Sequence, residues 1–165
     1  REEREKRRHL FGGWAEGFRP NRPYRWDLAG QSLIEVPTTT MPLLRLPFHL
    51  SYVLYLASFS QAAGLEYLRA ALRLCRATRT TPSFLLHPLD FLGCDDGVGL
   101  EFFPAMGLPV RAKCDLARRA IELLCRYYEP AGLLRLASGL ALAGLPLHQP
   151  RFPVRRGCRS APEGG

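Results

Sequence analysis

The sequence predicts an α/β fold built on a βαβ crossover, and three stretches carry that expectation. Residues 32–36 and 83–87 are short apolar runs of strand length, and residues 58–76 between them show a single apolar stripe at helical spacing. Strand, crossover helix and strand in one sheet run parallel, with a right-handed connection. The second of these strands runs apolar or small from Ser83 to Leu86, is bounded by Pro82 and Pro88, and ends in His87. Carboxyl ends of parallel strands are where α/β folds bind ligands and do chemistry, so the chain reads as scaffolding for that histidine.

Length and composition fit one domain. The chain has 165 residues, 47% hydrophobic and 23% charged, enough for a core of its own. Its net charge of +8 comes mostly from arginines scattered along helical faces and both ends. A nucleic-acid surface gathers basic residues into a stripe with interleaved aromatics, and none is seen, so no nucleic-acid partner is expected. The cysteines, 75, 94, 114, 125 and 158, are odd in number and form no C-x-x-C pair, which argues against a zinc site and for a reducing compartment. Residues 1–9 are a charge run without the apolar core of a signal peptide. A cytoplasmic or membrane-peripheral protein is expected.

Taken in order, residues 1–19 form a charged, Gly-rich N-terminal segment, 20–146 the folded domain, and 147–165 a Pro/Gly/Arg-rich disordered tail. Residues 11–28, with Gly12, Gly13, Pro20, Pro23 and several aromatics, read as an irregular loop. The first strand covers 32–36, with Pro37 ending its ladder. Glu35 inside it admits two readings, a side chain on the solvated face or a carboxylate in a barrel interior. Residues 41–57 are apolar but broken by Arg45 and His49, short of the roughly 20 apolar residues a bilayer span needs, and turn helical from Pro47. In the helix 58–76, Ala62, Leu65, Leu68, Leu72 and Cys75 form the buried stripe. A loop covers 89–109. The helix 110–128 follows, with Leu116, Ala120, Leu123, Leu124 and Tyr127 on its apolar side and Lys113, Arg118, Arg119, Glu122 and Arg126 on the other. Residues 131–145 read as a short buried helix.

His87 is the candidate for chemistry, because an imidazole titrates near neutrality and serves as acid, base or ligand. Asp90, three residues on, either orients its ring or simply caps a turn while His87 bonds a core carbonyl. His49 reads as structural. Asp95 and Asp96 lack the ligand spacing of a calcium loop and read as solvated. No Gly-x-Ser-x-Gly and no P-loop occurs.

The order Arg22-Pro23-Tyr24-Arg25, then Leu33-Ile34-Glu35-Val36-Pro37-Thr38-Thr39, then Phe84-Leu85-Leu86-His87-Pro88-Leu89-Asp90-Phe91 resembles the C-terminal half of the polysaccharide deacetylases. These are metal-dependent carbohydrate esterases of the chitooligosaccharide deacetylase type, and the resemblance covers about residues 20–143. It implies a partial distorted (β/α) barrel with C-terminal helices, and removal of N-acetyl groups from a sugar polymer or glycolipid. His87 falls at the position of the family's proton donor to the leaving amine, and Asp90 at an acidic position of the matching branch. Leu85 and Leu86, with Glu35, would line the substrate pocket. The complete family domain holds a divalent, zinc-like metal. The Asp-Asp and His-x-x-x-His motifs that hold it have no counterpart in these residues, so no metal ligand is assigned here. The chain would then be inactive alone, either a fragment that needs a missing N-terminal half or a degenerate relative of the family. Two other readings stand beside this one. One is a non-catalytic α/β interaction module that completes its sheet with a partner chain through Arg45, residues 41–57 and the helix 131–145. The other is peripheral association with a membrane.

Overall fold

The computed structural model describes residues 20–28, 30–97, 99–100, 103, 105–141 and 143–149. Its centre is helical. Helix α1 (Leu50–Phe59) and helix α2 (Gln61–Ala77) form a hairpin, and helix α3 (Val110–Tyr127) packs across both. One residue joins the hairpin: Ser60 closes α1 with its N–H on the Leu56 carbonyl and caps α2 by accepting the Ala63 N–H. That follows serine's preference for N-caps, and it moves the start of α2 three residues beyond the expected 58. The stripes then meet. Leu50, Val53 and Leu54 of α1, Leu68, Ala71, Leu72 and Cys75 of α2, and Leu116, Ala117 and Ala120 of α3 are buried in one cluster with Phe48 and Met41. Each fully buried leucine contributes roughly 1.5–3 kcal/mol. Helix α2 ends in a Schellman motif, with Thr80 N–H on Cys75 O and Arg79 N–H on Arg76 O, and Arg79 takes the left-handed turn at φ 53°.

The chain is mixed α and β, but its sheet differs from the expected one. Strands β1 (Tyr24–Leu28) and β2 (Gln31–Glu35) form an antiparallel hairpin, and β3 (Leu147–His148) adds to β1 in parallel, giving the order β2-β1-β3. The loop expected over 11–28 therefore contains a strand. The alternation of Tyr24, Trp26 and Leu28 with polar residues suits β1, and Gly30 at φ 91° supplies the tight turn. Likewise, the expected tail at 147–165 begins inside the sheet, where Tyr24 and Trp26 pack edge-on against His148. Residues 1–19 and 150–165 lie outside the described residues, so the N-terminal segment and the disorder expected of the tail are not described.

The βαβ crossover is corrected. Residues 83–87 are extended but belong to no described sheet. Their backbone groups go elsewhere: Ser83 O accepts from Thr39 N–H, Ser83 N–H donates to the Thr39 hydroxyl, and Leu85 O takes the first N–H of α1 from Leu50. A threonine side chain and a helix N-terminus thus satisfy what a strand neighbour would have, and Pro37 on the facing segment has no N–H to offer. Helix α1 starts at Leu50 rather than near Pro47, because Thr40 and Pro47 bridge across a turn in which Leu43 and Arg45 are left-handed. The last helix, α4 (Leu133–Ala141), is exposed rather than buried, with Leu133 62% and Leu134 82% accessible. Its main described neighbours are β2 and the bond from Arg25 to the Ala141 carbonyl; these leave Leu133 and Leu134 open while Leu136, Ala137 and Leu140 are half-buried.

Candidate active-site cleft

The bond from Leu50 N–H to Leu85 O (3.1 Å) fastens the first turn of α1 to the extended segment ending in His87. It brings His49 and Ser51 beside a residue distant in sequence. Pro88 then starts a 3-10 turn, Pro88–Phe91, that reverses the chain. Asp90 closes it, its Oδ2 accepting the His87 backbone N–H at 2.8 Å while its own N–H returns to the His87 carbonyl at 3.0 Å. The turn is held from the other side by α3, where Lys113 Nζ donates to Leu89 O (2.7 Å), Leu92 O (2.5 Å) and Met106 Sδ (3.5 Å). Lys113 was expected on the solvated side of its helix and is instead 1% exposed.

Between these elements lies a cleft of about 400 Å³. Its polar groups are His49, Ser51, His87, Asp90 and Lys113, and its walls are Leu54, Tyr52, Tyr55, Leu89, Phe103, Ala105 and Met106. The His87 ring is partly open to solvent, whereas the Asp90 carboxyl beside it is buried. Nδ1 of His87 lies 2.9 Å from Ser51 Oγ and 3.8 Å from Asp90 Oδ2. The serine contact is a hydrogen bond and the aspartate contact is electrostatic only. Asp90 thus caps the turn, as one sequence reading had it, but the ring bonds Ser51 rather than a core carbonyl, and the carboxylate faces it only at electrostatic range. The arrangement is not a serine-nucleophile triad, since serine and carboxylate meet the same ring nitrogen instead of opposite ones.

His49 stands edge-on to His87 with ring centres 5.5 Å apart, and its Nδ1 is buried without a hydrogen-bond partner. Burial pushes its pKa down, the neighbouring His87 adds to this, and Asp90 opposes it. Burial likewise lowers Lys113, with Asp90, Asp96 and Cys114 pulling the other way. His49 had been read as structural and Ser51 not singled out. The only local sign was a histidine just before a helix start, followed two residues later by a hydroxyl.

Of the expected site residues, the structure brings His87 and Asp90 together. Leu85 and Leu86 lie outside the cleft lining, 38% and 42% exposed, and the Leu85 carbonyl serves α1. Glu35 is elsewhere, at the end of β2, accepting from Trp26 Nε1 on β1. Asp95 and Asp96 serve the backbone: Asp95 accepts the Val110 N–H at the start of α3, and Asp96 accepts that of Gly93. Among the described residues no group of three His, Cys, Asp or Glu is placed to hold a metal ion, and no helix is long and apolar enough to cross a membrane. No family model, no curated protein and no solved structure matches the chain. What the cleft can do rests on its own chemistry: exchange of a proton at His87 with a group held against apolar and aromatic walls.

Proposed function

We propose that this chain is part of a hydrolase that removes N-acetyl groups from a sugar polymer or glycolipid, with His87 protonating the departing amine. The observation that supports it is the part-open His87 ring in the cleft, with Nδ1 held by Ser51 and the Asp90 charge behind it. An imidazole side chain can hand a proton to a departing amine, and here its ring stands between the cleft and the buried carboxylate. The cleft walls at Leu54, Ala105 and Met106 provide the apolar contact for an acetyl methyl that had been expected from Leu85 and Leu86. A distorted (β/α) barrel, the fold this reading implies, would require the extended segment 83–87 to find strand partners that the described residues do not supply. The described residues do not fit a divalent metal, so no step is drawn through one.

The test is acetate release from N-acetylated chito-oligosaccharides by the longest natural form of the polypeptide containing these residues. His87→Ala is expected to lower kcat by about 10²- to 10⁴-fold with KM little changed. An undiminished rate in that variant removes His87 from the reaction, and no acetate from the unaltered protein removes the activity.

Exposed apolar residues support a second reading, an α/β interaction module. Strand β2 is an outer strand with Leu33 56% exposed, and Leu43 and Leu44 are 80% and 60% exposed. Outer strands and apolar patches of this kind recruit a partner chain. A monodisperse monomer by light scattering, with no tendency to associate, removes this reading.

A further inference from the structure

We infer that Ser51 is the positioning residue of His87, accepting the ring proton that the Asp90 charge places on Nδ1 and so leaving Nε2 as the nitrogen that meets a ligand in the cleft. The catalytic consequence rests on the proton-donor reading above, whereas the tautomer does not.

The geometry separates the two groups that face Nδ1. Ser51 Oγ is at 2.9 Å, hydrogen-bond distance, and Asp90 Oδ2 at 3.8 Å is beyond it. Asp90 is also engaged already, accepting the His87 backbone N–H at 2.8 Å. Its carboxyl is nevertheless buried close to the ring, and its negative charge decides which way the serine bond runs. A hydroxyl donates or accepts with equal ease. If Ser51 donated, the lone pair of Nδ1 would face a carboxylate across 3.8 Å. If Nδ1 carries the proton, its positive end faces that carboxylate and Ser51 Oγ accepts. The second arrangement is the lower in energy. Nε2 then has no hydrogen-bond partner among the described residues, and His87 lines the cleft.

The other charged neighbours do not compete for Nδ1. Lys113, from α3, spends its three N–H groups on Leu89 O, Leu92 O and Met106 Sδ. His49, from the start of α1, meets the His87 ring edge-on with centres 5.5 Å apart and makes no hydrogen bond to it. Ser51 itself is fixed in place because the Leu50 N–H preceding it is bonded to Leu85 O, on the segment that carries His87. A hydroxyl anchored to the same segment as the ring can hold that ring to one orientation.

The test is the ¹⁵N spectrum of the imidazole rings in labelled protein, titrated through neutral pH, with His87 assigned by its loss in His87→Gln. The unaltered protein is expected to show neutral His87 protonated on Nδ1. Ser51→Ala is expected to shift it towards a mixture containing the Nε2-protonated form. Ser51→Thr, which keeps the hydroxyl, is expected to restore the original form, and provides the comparison should Ser51→Ala fold poorly. In acetate release, Ser51→Ala is expected to lower kcat several-fold with a displaced pH profile, and Ser51→Thr to recover most of the rate. An Nε2-protonated ring in the unaltered protein, or a spectrum indifferent to Ser51→Ala, overturns the inference. A shifted tautomer in a protein that releases no acetate leaves the positioning role standing and removes the deacetylase reading instead.

Discussion

The ammonium of Lys113 is carried into the interior and surrounded by acceptors, an arrangement whose desolvation is offset by its hydrogen bonds and by the charges of Asp90 and Asp96. Those bonds tie α3 to the 3-10 turn that holds Asp90 behind His87. Lys113→Met keeps the length of the side chain but takes the ammonium away from the Leu89 and Leu92 carbonyls. Stability is expected to fall by about 1–3 kcal/mol, because the part-buried Leu92 carbonyl loses its donor and the Leu89 carbonyl keeps only the long bond from the Leu92 N–H, which outweighs the relief of removing a desolvated charge. The measurement is urea unfolding, with a lower midpoint at an unchanged slope, and an unmoved midpoint would show the lysine to be dispensable. At this scale the sequence was readable only in part. His87 stood out because it ends a run framed by Pro82 and Pro88, and Asp90 because it follows three residues later. Lys113 did not, since its place among Arg118, Arg119 and Glu122 on a helical wheel says surface, and only the tertiary approach of the turn overrules it. His49 and Ser51 were hidden for the same reason, as their partner lies 36 residues beyond Ser51.

Among the elements, the α1–α2 hairpin owes its close approach to Gly64. A Cβ built there would stand 2.7 Å from the Val53 carbonyl oxygen and 2.9 Å from Ala57 Cβ. The first neighbour is backbone and cannot rotate away, so the helices would have to separate. Gly64→Ala gains up to about 1 kcal/mol of helix propensity and loses roughly 1–3 kcal/mol to overpacking, so a net destabilisation is expected. Gly139 in α4 is the control, since a Cβ there meets nothing within 4 Å. Gly139→Ala is expected to be neutral or stabilising by up to about 1 kcal/mol. Thermal midpoints of the two variants check the contrast, and equal shifts would mean that propensity, not packing, governs both. The helices were legible because their stripes repeat over many residues: Leu65, Leu68, Leu72 and Cys75 announce one face of α2 wherever its ends fall. Ends were less so, because Ser60 can cap either helix and in fact serves both.

At the scale of the whole molecule, the α/β class was legible and the sheet was not. An apolar run such as 83–87 fits a buried strand, but whether it finds a ladder depends on what lies beside it, here a threonine hydroxyl and a helix N-terminus. The interior so formed holds weak acids away from water, and this has a consequence for the whole fold. Burial pushes the Cys75 thiol up to about 11 from its usual 9.0, and burial together with Tyr52 pushes the Tyr67 phenol up to about 12 from 10.0. Tyr128 is raised by burial, with Cys75 adding and Arg76 opposing. Each group keeps its proton longer in the folded chain than in the unfolded one. Above about pH 9 the unfolded chain therefore binds fewer protons, and stability falls as pH rises. The contribution is whole below pH 9, is lost first through Cys75 between 9 and 11, and then through Tyr67 between 10 and 12. Tyr67→Phe removes one titration along with the bond from Tyr67 Oη to the Pro47 carbonyl, and Cys75→Ala removes the other. Thermal midpoints followed from pH 7 to pH 11 are expected to drop steeply above pH 9 in the unaltered protein. The double variant starts lower at pH 7 but declines less with pH, because its interior no longer contains the two acids that charge on unfolding. Parallel declines in the two proteins would place the alkaline sensitivity outside the α2 interior.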